Sequence, residues 1–207
     1  MPLSEFDVRA ARRRGDQAWL VGEFRGQPAI AKVTRAIWPW QDPESSFFEG
    51  RGLAPPFRLL LRHEAEAWGR VMPDRVLEGG HGPEGSYLVL QHLPGRPPTA
   101  DSDGDALLEG LLRAVAHLHA VDVMHRDIRP NNVLFDGNGV RLIDLDVARV
   151  AGLGPVGLVG STRTRAPECA CGEGDGSADL YAVAATLRQL GVRLRGSVAR
   201  RLVEDLS

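Results

Sequence analysis

The sequence predicts an α+β protein of two lobes: a small antiparallel β-sheet lobe carrying one helix, then a short, mainly helical lobe. Three observations lead there. Short apolar runs separated by turn sequences fill the beginning of the chain. Stretches with apolar residues at helical spacing dominate the later part. Between them lies Pro94-Gly95-Arg96-Pro97-Pro98, a run that neither helix nor sheet interior accommodates. The expected division is a single domain with residues 1–93 as first lobe and hinge, residues 94–207 as second lobe, and a cleft between them.

The elements follow in order. Phe6 to Arg13, Ala18 to Phe24 and Pro28 to Thr34 read as strands joined by Arg14-Gly15-Asp16-Gln17 and Arg25-Gly26-Gln27, a three-stranded antiparallel meander. Ala36 to Pro56 contains Trp38, Pro39, Trp40, Pro43, Pro55 and Pro56, which breaks regular structure and reads as a surface insertion. From Phe57 to Val71 the pattern is helical, with Leu61, Glu64, Trp68 and Val71 on one stripe; Glu64 therefore faces inward. Glu66, rotated by roughly 200° from it, faces solvent. Strands are expected around Arg75 to Glu78 and Ser86 to Leu90, and a helix over Asp105 to Val121 with Leu108, Leu111, Leu112, Val115 and Leu118 on one side. Val133 to Phe135 and Val140 to Ile143 flank Asp136-Gly137-Asn138-Gly139, a hairpin signal, and another helix, Ala178 to Leu190, closes the strongly patterned region.

Composition narrows the function. In 207 residues, 43% are hydrophobic and 25% charged, as in an ordinary globular domain. A net charge of −2 gives no global attraction to nucleic acid or anionic membrane. No apolar stretch reaches the roughly 18 residues of a membrane span, and the N-terminus has no signal-peptide core, so a cytoplasmic location is expected. Cys169 and Cys171 are too close for an ordinary disulfide and too few for a zinc site, and read as small buried or loop residues. Of 25 basic residues all but Lys32 are arginine, which marks Lys32 as a candidate for a role that needs a compact ammonium.

The chemistry concentrates in His125-Arg126-Asp127-Ile128-Arg129-Pro130-Asn131-Asn132, followed beyond the hairpin by Asp144-Leu145-Asp146. Such a segment can gather two carboxylates and an amide oxygen around a hard cation such as Mg2+. Here the sequence resembles the eukaryotic-like (Hanks-type) serine/threonine protein kinase family, whose H-R-D-x-x-x-x-N loop is matched at His125, Arg126, Asp127 and Asn132. Ala29-Ile30-Ala31-Lys32 resembles the family's V-A-I-K strand, and Glu64 the helix glutamate that pairs with the lysine. Tyr87 to Leu93 resembles the strand and hinge that hold adenine, with Leu90 at the gatekeeper position and Gln91 and Leu93 beside the nucleotide. Ala166-Pro167-Glu168 matches A-P-E, and Asp179-Leu180-Tyr181 the start of the central helix, whose aspartate braces the catalytic loop.

The resemblance implies ATP and Mg2+ as cofactors and a protein Ser/Thr hydroxyl as acceptor. It implies that Lys32, held by Glu64, contacts the α- and β-phosphates, that Asp127 orients the attacking hydroxyl, and that Arg129 neutralises the moving phosphoryl group. It also implies that Asn132 and Asp144 bind the metal. His125 would pack with Leu145 and Trp68 in an internal spine, while His117 and His119 end a helix with no acidic partner at ligand spacing.

Three departures from the family accompany the match. Only Gly15 stands where a glycine-rich phosphate loop is usual, so nucleotide is expected to be held weakly or with arginine side chains. Asp146 replaces the glycine of Asp-Phe-Gly. With its end at Ser207, the second lobe is expected to be truncated after the central helix. A small-molecule or glycan kinase and a pseudokinase scaffold remain alternatives to a protein kinase. Arg129-Pro130 and Gly160-Ser161 favour serine/threonine acceptors, and Val147 to Gly160 holds no Ser, Thr or Tyr, which argues against a phosphorylation switch there. Substrate identity and oligomeric state are not written in the chain.

Overall fold

The structure, a computed structural model, describes residues 5–14, 17–35, 57–82, 85–137, 139–153, 164, 166 and 176–205. Gly15, the insertion over 36–56, Gly160, Ser161, Pro167, Glu168, Cys169 and Cys171 lie outside the described residues. The chain forms two compact units, residues 1–92 and 93–207.

The first unit is an antiparallel sheet with one helix, in keeping with the α+β class. Strands β1 (Phe6–Arg14), β2 (Gln17–Phe24) and β3 (Gln27–Arg35) form the expected meander. Helix α1 spans Phe57–Val71, and strands β4 (Val76–Gly82) and β5 (Gly85–Gln91) complete the sheet in the order β1-β2-β3-β5-β4. The two later strands run longer than their apolar cores, because Gly79, Gly80 and His81 pair with β5 although they carry no strand-like pattern. Arg75 belongs instead to a 3-10 turn, Pro73–Arg75.

The period of two along β3 sorts the residues by face. Ala29, Ala31 and Val33 join Phe6, Phe24 and Val89 in an apolar core, whereas Lys32 stands on the opposite face, across from Leu88 of β5. Helix α1 packs on β5, β4 and β3. The expected inward stripe is present: Leu61, Glu64 and Trp68 are buried, Glu66 is exposed.

The second unit is built on helix α2 (Gly104–Ala120), which starts at Asp103, whose carboxylate accepts the backbone N–H of Asp105 and Ala106 at 3.1 Å each. Its buried stripe is Leu107, Leu108, Leu111, Val115 and Leu118. After it come β6 (Val123–Met124), the hairpin β7 (Val133–Phe135) and β8 (Val140–Leu142), and β9 (Arg149–Val150), which pairs with β6. Helix α3 (Ser177–Leu190) packs against α2 and buries an unbroken run from Ala182 to Leu187, the mark of a central helix. It ends at Gly191, whose φ of 68° supplies the left-handed cap.

Helix α3 is not the last element. Helix α4 (Ser197–Asp205) follows and packs on α3, with Val203 buried. Its short charged sequence, Ser-Val-Ala-Arg-Arg-Leu-Val-Glu-Asp, offers too few apolar positions to announce a helix on its own.

Gly22 tests the tightness of the sheet. It pairs with Val8 beside a register shift in β1, and a Cβ built on it falls 1.9 Å from the carbonyl oxygen of Asp7. Backbone rather than a flexible side chain would have to yield. Gly22→Ala is expected to destabilise the protein by about 1–3 kcal/mol, read as an earlier midpoint in urea unfolding.

Candidate active site

The first unit contributes a buried ion pair. Lys32 Nζ lies 2.7 Å from Glu64 Oε2, with the lysine almost fully buried and the glutamate wholly so. Strand β3 aims Lys32 at the helix face, and the stripe of α1 aims Glu64 back. A buried carboxylate with a single partner would still have an unsatisfied oxygen. Oε1 accepts the indole N–H of Trp68 at 3.2 Å. At the end of β5, Leu90 is buried, Gln91 is exposed, and the His92 N–H donates to the carbonyl of Pro28 at 2.9 Å, fastening the exit from the sheet to β3.

In the second unit the loop from His125 to Asn132 is organised by one carboxylate. Asp179, on the first turn of α3, is 1% exposed. Its Oδ2 accepts the backbone N–H of His125 and its Oδ1 that of Arg126, both at 2.9 Å, and Oδ2 also meets His119 Nε2 at 2.9 Å. Arg126 adopts φ 66°, a left-handed conformation that costs a non-glycine residue about 1–3 kcal/mol unless its surroundings hold it. Charge-assisted hydrogen bonds donated by the His125 and Arg126 amides to Asp179 do so.

The remaining side chains interlock. His125, fully buried, has Nε2 at 3.0 Å from the carbonyl of Ile143, which can only accept, so Nε2 carries the proton. Its Nδ1 in turn accepts the Asp127 N–H at 3.3 Å. Asn132 Nδ2 donates to both the backbone carbonyl and Oδ2 of Asp127 at 2.9 Å, and Arg129 Nε lies 3.0 Å from the same Oδ2. Asp127 is thereby oriented from two sides. Thr186 Oγ1 of α3 donates to the Ile128 carbonyl at 3.3 Å, a second tie between central helix and loop.

The Ile143 N–H donates to the Asn132 carbonyl at 2.9 Å, which brings the segment bearing Asp144 beside Asn132. Asp144 itself sits at φ 69°. With the Asn132 amide nitrogen turned to Asp127, its Oδ1 is the atom left for a cation. The donor set is therefore an amide oxygen and a carboxylate on adjoining backbone. Mg2+ is ordinarily held by one or two such groups plus phosphate oxygens and water, so these residues fit it. Among the described residues there is no cluster of three or more His, Cys, Asp or Glu able to hold a metal by themselves.

His119 has a role that sequence reading missed. Its partner lies 60 residues away, and only the packing of α2 against α3 joins them. The signal available in the chain was the histidine's place in the last turn of a helix ahead of the loop. Asp127, Asn132, Arg129 and Asp144 are assembled within one unit and Lys32 and Glu64 within the other, while Gly15 lies outside the described residues.

The sheet unit with its lysine–glutamate pair and the helical unit with its braced His-Arg-Asp loop are the parts of a kinase-like class of fold. A family model for the protein kinase domain matches residues 87–194, more than half of the chain. The chain belongs to the protein kinase family, and its relatives are serine/threonine kinases of the Hanks type. It is 38% identical over 87 residues to serine/threonine-protein kinase ppk6 of Schizosaccharomyces pombe, covering 41% of this chain and 11% of that protein. It is 32% identical over 121 residues to a putative cyclin-dependent kinase F-2 of Oryza sativa, 56% and 37% respectively. Over 130 residues it is 31% identical to serine/threonine-protein kinase Pkn1 of Myxococcus xanthus, 52% and 18%. The matched part is thus well under half of each of these relatives.

The His119–Asp179 pair makes stability pH-dependent. The hydrogen bond to Asp179 raises the His119 pKa from the ordinary 6.5, against the opposing push of burial, and the charge of Asp179 adds to the rise. Burial alone would raise Asp179, but the His119 hydrogen bond and the His125 and Arg126 amides outweigh it and bring its pKa below 3.8. A raised histidine contributes stability that is complete below its unfolded value and is lost as pH climbs through its folded value. A lowered aspartate contributes above its unfolded value and loses that as pH falls through its folded one. His119→Gln is therefore expected to destabilise more at about pH 5.5 than at about pH 9, measured by urea unfolding of both proteins.

Proposed function

We propose that this chain is an ATP- and Mg2+-dependent phosphotransferase acting on serine or threonine hydroxyls of proteins. The observation that carries the reading is the orientation of Asp127, whose Oδ2 accepts a hydrogen bond from Asn132 and pairs electrostatically with Arg129, and whose backbone is held through Arg126 by Asp179. A carboxylate so held is suited to take up or orient the proton of an attacking hydroxyl. Family membership supports the acceptor class, and ATP as co-substrate suits a cytoplasmic site. Among the described residues no helix is long and apolar enough to cross a membrane.

The roles divide by charge. Lys32, with Glu64 holding its ammonium, neutralises the α- and β-phosphates. Asn132 and Asp144 are the metal-holding residues. Mg2+, when bound, screens the phosphate oxygens and favours in-line displacement. Arg129 places a guanidinium beside the attacking group, where charge moves in the transition state. Gln91, Leu93 and Gly15 are the residues that family membership proposes for nucleotide binding. With one glycine in that loop, nucleotide binding leans on the metal-holding residues and is Mg2+-dependent.

The test is incubation of purified chain with labelled ATP and Mg2+, alone and with generic protein substrates. Asp127→Ala, Asp144→Ala and Lys32→Ala are each expected to lower the transfer rate by about a hundredfold or more, the usual consequence of deleting a preorganised charge. Equal rates in wild type and Asp127→Ala would contradict the enzymatic reading.

A further inference from the structure

We propose that Trp68 and Arg75 are positioning residues that clamp Glu64, and through it Lys32, in the paired state. Its consequence for catalysis rests on the phosphotransfer reading above, but the clamp is a property of the first unit alone.

Glu64 is a fully buried carboxylate, so each of its oxygens needs a donor. Lys32 supplies one. Trp68 supplies the other because it stands one turn further along α1, on the same face as Glu64, and the indole N–H can only donate. Leucine or phenylalanine at this position would fill space and leave Oε1 without that bond.

Arg75 completes the arrangement from the turn that follows the helix. Its guanidinium carbon lies 3.6 Å from the Trp68 ring centroid, and the residue is 3% exposed, so a cation rests on the π face with water largely excluded. A positive charge over the ring draws electron density from it and polarises the indole N–H towards Glu64. The order is then guanidinium over the electron-rich ring face, indole N–H at the ring edge on the carboxylate, and carboxylate on the ammonium, an attraction at every contact. For the Glu64 side chain to rotate away from Lys32 with α1 in place, the indole bond must break in the same movement. A shift of α1 must also pull the ring from beneath Arg75. Together these favour the paired state without any modification or partner.

The single lysine makes this measurable without turnover. An acylating reagent such as acetic anhydride can modify only Lys32 and the α-amino group as amines, and peptide mass spectrometry separates the two. In the full chain, Trp68→Phe is expected to raise the Lys32 modification rate by about tenfold or more, as for loss of a hydrogen bond to a charged group. Arg75→Met should raise it by about two- to fivefold. In a Glu64→Gln background, Trp68→Phe should add less than about twofold, because the group it acts through has changed. Wild-type modification rates in a folded Trp68→Phe protein, or an equal rise with and without Glu64, would overturn the proposal. Should Trp68→Phe not fold, the Trp68 indole N–H resonance decides: it is expected to move upfield in Glu64→Gln, and an unchanged shift would overturn the clamp. Absence of phosphotransfer in the wild type would instead count against the functional reading and leave the labelling result intact.

Discussion

The carboxylate of Asp179 carries the helical unit. Three donors converge on it, the amides of His125 and Arg126 from an irregular loop and the ring of His119 from the last turn of α2. Arg126 in a left-handed conformation turns the backbone sharply just before Asp127. That turn, with the hydrogen bonds from Asn132 to Asp127, decides which way the candidate catalytic carboxylate faces. Without Asp179 the strained residue would relax toward an ordinary backbone well, and the loop would lose its anchor to α3.

The sheet unit meets the same physical problem with different residues. Glu64, like Asp179, is a carboxylate withdrawn from water, and burial of an ionised group is tolerated only when its oxygens are matched by donors. Asp179 draws on two backbone amides and an imidazole, Glu64 on an ammonium and an indole. In both, part of the matching comes from a side chain outside the family's motifs, His119 in one case and Trp68 in the other. The helical period positions Trp68 one turn from Glu64, whereas the packing of α2 on α3 brings His119 to Asp179.

How much of this was legible in the sequence depended on range. The turn sequences Arg25-Gly26 and Asp136-Gly137 and the alternation along β3 declare strands because both act over a few residues. The inward stripe of α1 favoured Glu64 over Glu66, but the choice between them as the partner of Lys32 stayed open until the side chains were placed. His119 with Asp179 could not be read in the same way, since nothing local relates the end of α2 to the first turn of α3. Nor could Arg75, which looks like the start of a strand but turns inward over Trp68. The two-residue strands β6 and β9 carry no periodicity at all, and exist because the chain on either side of the loop is drawn together.

Asp179 holds the loop, and amide hydrogen exchange at His125 and Arg126 measures that directly. In the wild type these two amides are expected to exchange about as slowly as those of Leu111 and Val115 in the core of α2, since their acceptor is buried. In Asp179→Asn, where the side chain offers one acceptor oxygen in place of two, one or both are expected to exchange at least about tenfold faster, with the α2 amides little changed. Rapid exchange of both amides in the wild type, or undiminished protection of both in Asp179→Asn, would contradict it.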